Sequence, residues 1–170
     1  GGSQTGEAAG DVYESIEGLL GSSFGDVLTG NSASNVIQGF AGNDIIDGGE
    51  GIDQLIGGEG DDIIVGGLGN DSLTGGGGSD VFLYLTAAES QSTAEIAPDI
   101  IEDFQSGVDR IDISALLPTN VSITQDGIYT LVSAQSASGN FAVRVVGSVV
   151  IGDIIQTATV SEISGTAGAD

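Results

Sequence analysis

The chain has 170 residues, of which 25 are acidic and only Arg110 and Arg144 are basic, for a net charge of −23; it has no His and no Cys. That length suits one domain with a sizeable core, or a repeat array with a cap. The composition excludes a disulfide framework, thiolate metal sites and His-dependent catalysis, and the charge repels phosphate backbones and anionic lipid, so no nucleic-acid partner and no membrane insertion are expected. Hydrophobic residues make up 39% of the chain, so the acidity is not that of a chain too polar to fold. Folding with bound cations fits better.

In chain order, Gly1-Gly2-Ser3 carries no structural weight. "DVYESIEGLLGSS" (Asp11–Ser23) alternates enough for a lead-in strand, within a lead-in segment 1–20. From Gly21 the chain counts in nines: 21–29, 30–38, 39–47, 48–56, 57–65, 66–74 and 75–83. The first place is always Gly. The sixth is Asp26, Asn35, Asp44, Asp53, Asp62, Asp71 and Asp80. The eighth is Leu28, Ile37, Ile46, Leu55, Ile64, Leu73 and Phe82. A fixed period of this kind marks a solenoid.

Each unit predicts a glycine-rich turn followed by a three-residue strand at places seven to nine. Glycines at places one, two and four permit backbone that a side chain would forbid. The middle strand residue, place eight, points into the core. Two units make one coil, and the next eighteen residues stack upon it. One buried aliphatic per nine residues does not offset the ordering of nine residues. The units also carry ten acids and no base between Gly21 and Leu83. A cation must neutralise them. Carboxylates and free turn carbonyls form an all-oxygen ligand set, which suits calcium; magnesium is stricter in geometry, and zinc would need His or Cys. Metal binding then supplies folding free energy. An EF-hand is disfavoured, because its twelve-residue loop and flanking helices are absent.

The units resemble the RTX (hemolysin-type) calcium-binding nonapeptide G-G-x-G-x-D-x-U-x. Units 48–56, 57–65, 66–74 and 75–83 match every fixed place; Phe40 replaces the second Gly of 39–47; units 21–29 and 30–38 keep only the first Gly, and Asn35 replaces Asp. The resemblance implies an all-β fold: a right-handed parallel β-roll with several calcium ions between successive turns on one edge. It pairs turn 39 with 57, 57 with 75, and 48 with 66, for about three firm sites. The pairs 21 with 39 and 30 with 48 are weaker. It implies ligands from Gly39, Phe40, Ala41, Gly42 and Asp44; Gly48, Gly49, Glu50, Gly51 and Asp53; and Gly57, Gly58, Glu59, Gly60 and Asp62. Gly66, Gly67, Leu68, Gly69 and Asp71, and Gly75, Gly76, Gly77, Gly78 and Asp80, complete the regular set, with Asp26, Asn35 and Asp99 as further ligands.

After Leu83 the period ends. "PDIIEDFQSGVDRIDISAL" (Pro98–Leu116) resembles the end domain of serralysin-type metalloproteases, and also the R-modules of mannuronan C5-epimerases. This implies a β-rich C-terminal cap over 84–160. Strands are predicted at 100–104, 108–113, 121–125, 128–132, 141–146 and 149–155, with a hairpin turn at Asp126-Gly127 and a short helical turn over 114–117 before Pro118. The resemblance places Glu89 and Asp99 near the last calcium layer; taken alone, each reads more plainly as a solvated surface acid. "SGTAGAD" (Ser164–Asp170) looks like the start of a following repeat block or a linker over 161–170, which suggests a module cut from a longer protein.

No catalytic residue is expected. Asp62 of the Asp61/Asp62 pair reads as a metal ligand and Asp61 as solvent-facing; Tyr13, Tyr84 and Tyr129 read as strand residues. The expected function is a non-catalytic calcium-binding module of a larger bacterial protein exported by type I secretion. It would fold on extracellular calcium, at affinities of ~10⁻⁴–10⁻³ M, and support its neighbouring domains. The alternative is an R-module of an alginate-modifying epimerase that assists binding of an anionic polysaccharide; the roll has no basic residue to meet such a chain. An ice-binding array is not expected, because places nine (Thr29, Gln38, Asp47, Ile56, Val65, Thr74, Leu83) form no threonine ladder.

Overall fold

The computed structural model describes residues 17–90 and 97–156. The beginning of the lead-in, Tyr13 and the segment Ser164–Asp170 lie outside the described residues. The strands are β1 Gly18–Leu20, β2 Val27–Asn31, β3 Val36–Ala41, β4 Ile45–Gly51, β5 Gln54–Glu59, β6 Ile63–Val65, β7 Leu68–Gly69, β8 Ser72–Gly77, β9 Val81–Leu83, β10 Asp99–Ile101, β11 Arg110–Asp112, β12 Asn120–Asp126, β13 Tyr129–Ser136, β14 Gly139–Val146 and β15 Ile154–Ile155. Two single 3₁₀ turns, Ser114–Leu116 and Ile151–Asp153, are the helical elements among the described residues.

From β1 to β6 and from β8 to β11, consecutive strands go to opposite sheets. One sheet has the order β1-β3-β5-β8-β10-β14-β13-β12, the other β15-β11-β9-β6-β4-β2. Every pairing is parallel except β12 with β13 and β13 with β14. This is a parallel β-roll. Its eighteen-residue register places Leu19, Ile37, Leu55, Leu73, Ile101 and Val145 in one row. Leu28, Ile46, Ile64, Phe82, Ile111 and Ile154 form the facing row. From Leu28 to Phe82 these are the eighth places, and all are buried. Their single inward stack is the core.

Several strands run further than three residues. β3, β4, β5 and β8 continue through the glycines of the following unit, because adjacent coils stay in register there: Phe40 pairs Gly58, and Gly58 pairs Gly76. Both sheets also run on past Leu83. β10 stacks on β8 and β11 on β9, although the chain between them is longer than one coil. The spacing from Leu73 to Ile101 is 28 residues and from Phe82 to Ile111 is 29. The extra residues loop out, and the register survives.

The final hairpins differ in detail from the sequence pattern. Asp126 and Tyr129 pair, so the first two-residue loop is Gly127-Ile128, with Gly127 at φ +66° as a type II′ turn requires. Of 149–155 only Ile154–Ile155 is a strand; Ile151–Asp153 is a 3₁₀ turn closed by Asp153, which accepts from Val150 N–H.

Candidate metal centre: two aspartate ladders

The sixth-place side chains stack along the two edges of the roll. On one edge Asp26 N–H donates to Asp44 Oδ1 (2.7 Å), Asp44 N–H to Asp62 Oδ1 (2.8 Å), Asp62 N–H to Asp80 Oδ1 (3.0 Å) and Asp80 N–H to Asp109 Oδ1 (3.1 Å). On the other, Asn35 N–H donates to Asp53 Oδ1 (2.8 Å), Asp53 N–H to Asp71 Oδ1 (2.8 Å) and Asp71 N–H to Asp99 Oδ1 (3.0 Å). Each carboxylate thus holds the coil beneath it through one oxygen.

The second oxygen divides the rungs into two kinds. Oδ2 of Asp44, Asp53, Asp62, Asp71, Asp80 and Asp99 is buried without a hydrogen-bond partner. At Asp26 it accepts Ser22 N–H (2.6 Å), and at Asp109 it accepts Gln105 N–H (2.7 Å). The Asn35 side-chain oxygen accepts Asn31 N–H (2.9 Å). The donor is the residue four before the rung, which is place two of the unit. Where place two is Gly49, Gly58, Gly67 or Gly76, or Phe40 at φ +79°, φ is positive, and no N–H caps the carboxylate. Glycine at place two therefore withholds the protein's own cap from the acid.

Glycine at place one acts differently. Its φ is ordinary, but the space a Cβ would fill at Gly39, Gly48 and Gly57 is bounded by the unit's own Asp Oδ2 and by the carbonyl oxygen of Gly57, Gly66 and Gly75 in the next coil. At Gly66 the Asp71 Oδ2 lies 2.7 Å from that position. Close approach, rather than φ, requires glycine there. Places two and four press against the same places one coil below: Gly58 on the Phe40 carbonyl, Gly76 on Gly58, Gly60 on Gly42, Gly78 on Gly60, Gly67 on Gly49 and Gly69 on Gly51. Of the third places, the Glu59 and Gly77 carbonyls already accept N–H of Gly42 and Gly60 (2.8 and 2.7 Å), and Glu50 pairs Leu68 along β4 and β7. The side chains of Glu50, Glu59 and Leu68 face outward, as does Asp61, whose Oδ1 accepts Ser79 N–H.

Burial pushes the unpartnered carboxyls up: Asp53 to about 6, Asp71 to about 7, Asp80 to about 6 and Asp99 to about 8, with Asp44 and Asp62 shifted in the same direction. Neighbouring rungs add like-charge repulsion, and the backbone N–H on Oδ1 opposes it. A buried, unpaired carboxylate oxygen needs either a proton or a cation. Six of them beside stacked backbone carbonyls, with no nitrogen or sulfur donor, fit a hard divalent cation with oxygen ligands. Among the described residues no three acids converge on a single point, so backbone oxygens would complete each site.

Two acids are not solvated as their isolated positions suggest. Asp99 is fully buried and is the last rung of its ladder. Glu89 is buried too, but its carboxylate accepts Leu85 and Thr86 N–H (2.7 and 3.1 Å). Tyr84 follows β9 rather than lying in a strand. Asp109 is the functional residue that sequence reading missed. Asp99-x-Ile101 and Asp109-x-Ile111 repeat the sixth- and eighth-place pattern, and that echo was the available signal. The run around Asp109 closes the roll: Asp103 accepts Gly75 and Gly76 N–H (both 2.9 Å), Phe104 packs on Phe82 with ring centroids 6.2 Å apart, and Gly107 N–H donates to Asp153 (2.9 Å).

These features define a nonapeptide-repeat β-roll with acid-laddered edges. The chain belongs to the family of the Peptidase M10 serralysin C terminal, whose sequence profile matches residues 26–156. That family is a C-terminal repeat module and not a catalytic domain. The AlgE6R3 subunit of the Azotobacter vinelandii mannuronan C5-epimerase is similar in solution structure: 30% identity over 86% of this chain and 88% of that one, TM-score 0.43. The AlgE6R2 subunit of that epimerase has 30% identity over 81% of this chain and 91% of its own, TM-score 0.45. No curated protein sequence matches the chain. No helix among the described residues is long and apolar enough to cross a membrane.

Proposed function

We propose that the chain is a non-catalytic calcium-binding module of a larger secreted bacterial protein. It folds when calcium occupies the ladders outside the cell and supports the folding of its neighbours. The observation that carries this reading is the set of six buried Oδ2 atoms without a partner, each in a turn whose glycines hold no competing N–H or side chain against it, Asp99 apart. Asp44, Asp53, Asp62, Asp71 and Asp80, with carbonyls of the adjoining turns, are the ligands; Asp26 and Asn35 are already capped within their own turns and contribute less. When bound, the cation neutralises acids that repel one another, and the chain's residues do the rest by fixing one oxygen of each on the neighbouring coil.

Binding of an anionic polysaccharide, the alternative suggested by likeness to epimerase R-modules, finds less support. Arg110 lies 3.8 Å from Asp153, and Arg144 donates to Asp126 at 3.0 Å, so both cations are already engaged. Far-UV circular dichroism of EDTA-stripped protein tests the main reading. A cooperative coil-to-β transition with calcium at ~10⁻⁴–10⁻³ M, and none with equal magnesium, is expected. A fully folded spectrum in EDTA would rule out coupled folding.

A further inference from the structure

The roll passes its first sheet on to the antiparallel strands β12, β13 and β14, and the two faces of that extension differ. Inward, Val121, Val132, Val143 and Val145 are buried in the core. Outward, the register sets three rows across the strands. Asn120, Gln135 and Asn140 form a row of side-chain amides; Ser122, Ser133 and Ala142 form the next; Thr124, Leu131 and Arg144 form the third. Strands lie ~4.8 Å apart and alternate residues about 6.6 Å apart. The short middle row is therefore the floor of a trough roughly 10 Å long, with longer side chains on either side. At the β14 end the trough meets Ser90, whose carbonyl accepts Ala142 N–H and whose hydroxyl donates to the Ala142 carbonyl. At the other end β12 is the last strand of the sheet. The resulting cleft has a volume of about 400 Å³ and is lined by the amide row, the floor and Leu131. Sites for small ligands span about 300–1,000 Å³. Asn and Ala are disfavoured in strands, so the sheet gives up some strand preference to hold this shape.

The lining carries no charge. Arg144, in the third row, is engaged by Asp126 at 3.0 Å and lies over the Tyr129 ring at 5.8 Å. A net charge of −23 repels anions besides. Asn120 Nδ2 donates to Gln135 Oε1 (3.0 Å), which leaves Asn120 Oδ1 as an acceptor and Gln135 Nε2 as a donor. Among the described residues no protein group bonds the Asn140 amide or the Ser122 and Ser133 hydroxyls. One wall thus presents donors and acceptors side by side, and Leu131 opposite presents hydrocarbon. That set matches a ligand with adjacent hydroxyls, an apolar C–H face and no charge. We propose that this trough binds an uncharged saccharide, with hydroxyls on Asn120, Gln135 and Asn140 and a ring face on Leu131. No acid or base lines the cleft, so the ligand is held and not turned over. The site lies apart from the ladders, so the proposal goes beyond the calcium reading, and its ligand differs from the anionic chain weighed above.

The test is an NMR titration of the nitrogen-labelled full chain in calcium, read at the side-chain amides of Asn120, Gln135 and Asn140. Cellohexaose, maltohexaose and mannohexaose are the neutral probes, and the different linkages and sugars separate one saccharide source from another. Hexamers of mannuronate and of guluronate are the charged controls. Saturable shifts at these amides are expected with at least one neutral hexamer, and weaker ones with the charged pair. Ser133→Leu fills the floor and should weaken binding at least ~tenfold. Asn140→Ala removes one amide and should weaken it about tenfold. Asn140 is exposed, so its variant keeps the test open if Ser133→Leu fails to fold. The calcium midpoint in circular dichroism should stay the same in Asn140→Ala, which separates loss of this site from loss of the ladders. Absence of saturable shifts with every neutral hexamer, equal or tighter binding of a charged hexamer at the same amides, or wild-type affinity in Asn140→Ala would overturn the proposal.

Discussion

The central coils and the terminal turns of this roll use the same ladder with opposite finishes. At Asp109 the backbone supplies both partners of the carboxylate, one from the coil beneath and one from the turn itself; at Asp26, the first rung, the turn's own Ser22 N–H caps Oδ2. At Asp44, Asp53, Asp62, Asp71 and Asp80 the backbone supplies only the partner from the coil beneath. What separates them is place two: Ser22 and Gln105 turn an N–H onto the acid, while the positive-φ glycines and Phe40 do not. Three ladder ends, Asp26, Asn35 and Asp109, are therefore capped by their own turns, while the middle rungs and Asp99 are left for a cation. A repeat protein needs such differing ends, because its terminal layers have a neighbour on one side only.

Substitution at a rung should break this contrast most sharply. Asp62→Asn keeps an oxygen for Asp44 N–H but loses the charged ligand; its calcium midpoint in circular dichroism should rise at least ~tenfold, as expected for loss of a ligand. Asp109→Asn has one oxygen for two N–H groups, so it should cost about 1–3 kcal/mol in denaturant unfolding, in calcium and in EDTA alike. Next in size is Gly58→Ala. Gly58 sits at φ +126°, and a Cβ there would meet the Phe40 carbonyl, so loss of about 1–3 kcal/mol or more is expected in chemical denaturation with calcium present.

The metal-free middle should also respond to pH in the opposite sense to most acidic proteins. Its carboxyls are raised in the folded state from 3.8 to between about 6 and about 8, so folding takes up protons. Their stabilising contribution is full below pH ~4 and is lost as pH rises through ~6–8. In EDTA, thermal melts should therefore show more structure at pH 4.5 than at pH 7.5. With calcium present the order should reverse, because protons then compete with the ion. The smallest effect is expected at Phe40→Gly: removing a bulky side chain from φ +79° should stabilise the calcium-bound roll by about 1 kcal/mol in the same melts.

Much of this was legible in the period. Counting in nines places Leu28 through Phe82 in the core and Asp26 through Asp80 at the edges, because a solenoid repeats its contacts with its sequence. The cap was less so. Asp71 to Asp99 spans 28 residues and Asp80 to Asp109 spans 29, so the count slips while the register holds. Only the paired spacing Asp99/Ile101 and Asp109/Ile111 survives as a trace. The split between capped and uncapped acids was also out of reach, since it depends on which way the N–H of place two points. Sequence shows that Ser22 differs from Gly58, but not that the difference leaves a carboxylate oxygen bare.

Hydrogen–deuterium exchange of the full chain in calcium and in EDTA, read by peptide, tests the central claim most directly. At neutral pH the account predicts strong protection of amides in 39–83 with calcium and its loss in EDTA, with the Asp44, Asp53 and Asp62 N–H groups among those released. Equal protection of these amides in both conditions would contradict it: the ladders would then be complete without a cation.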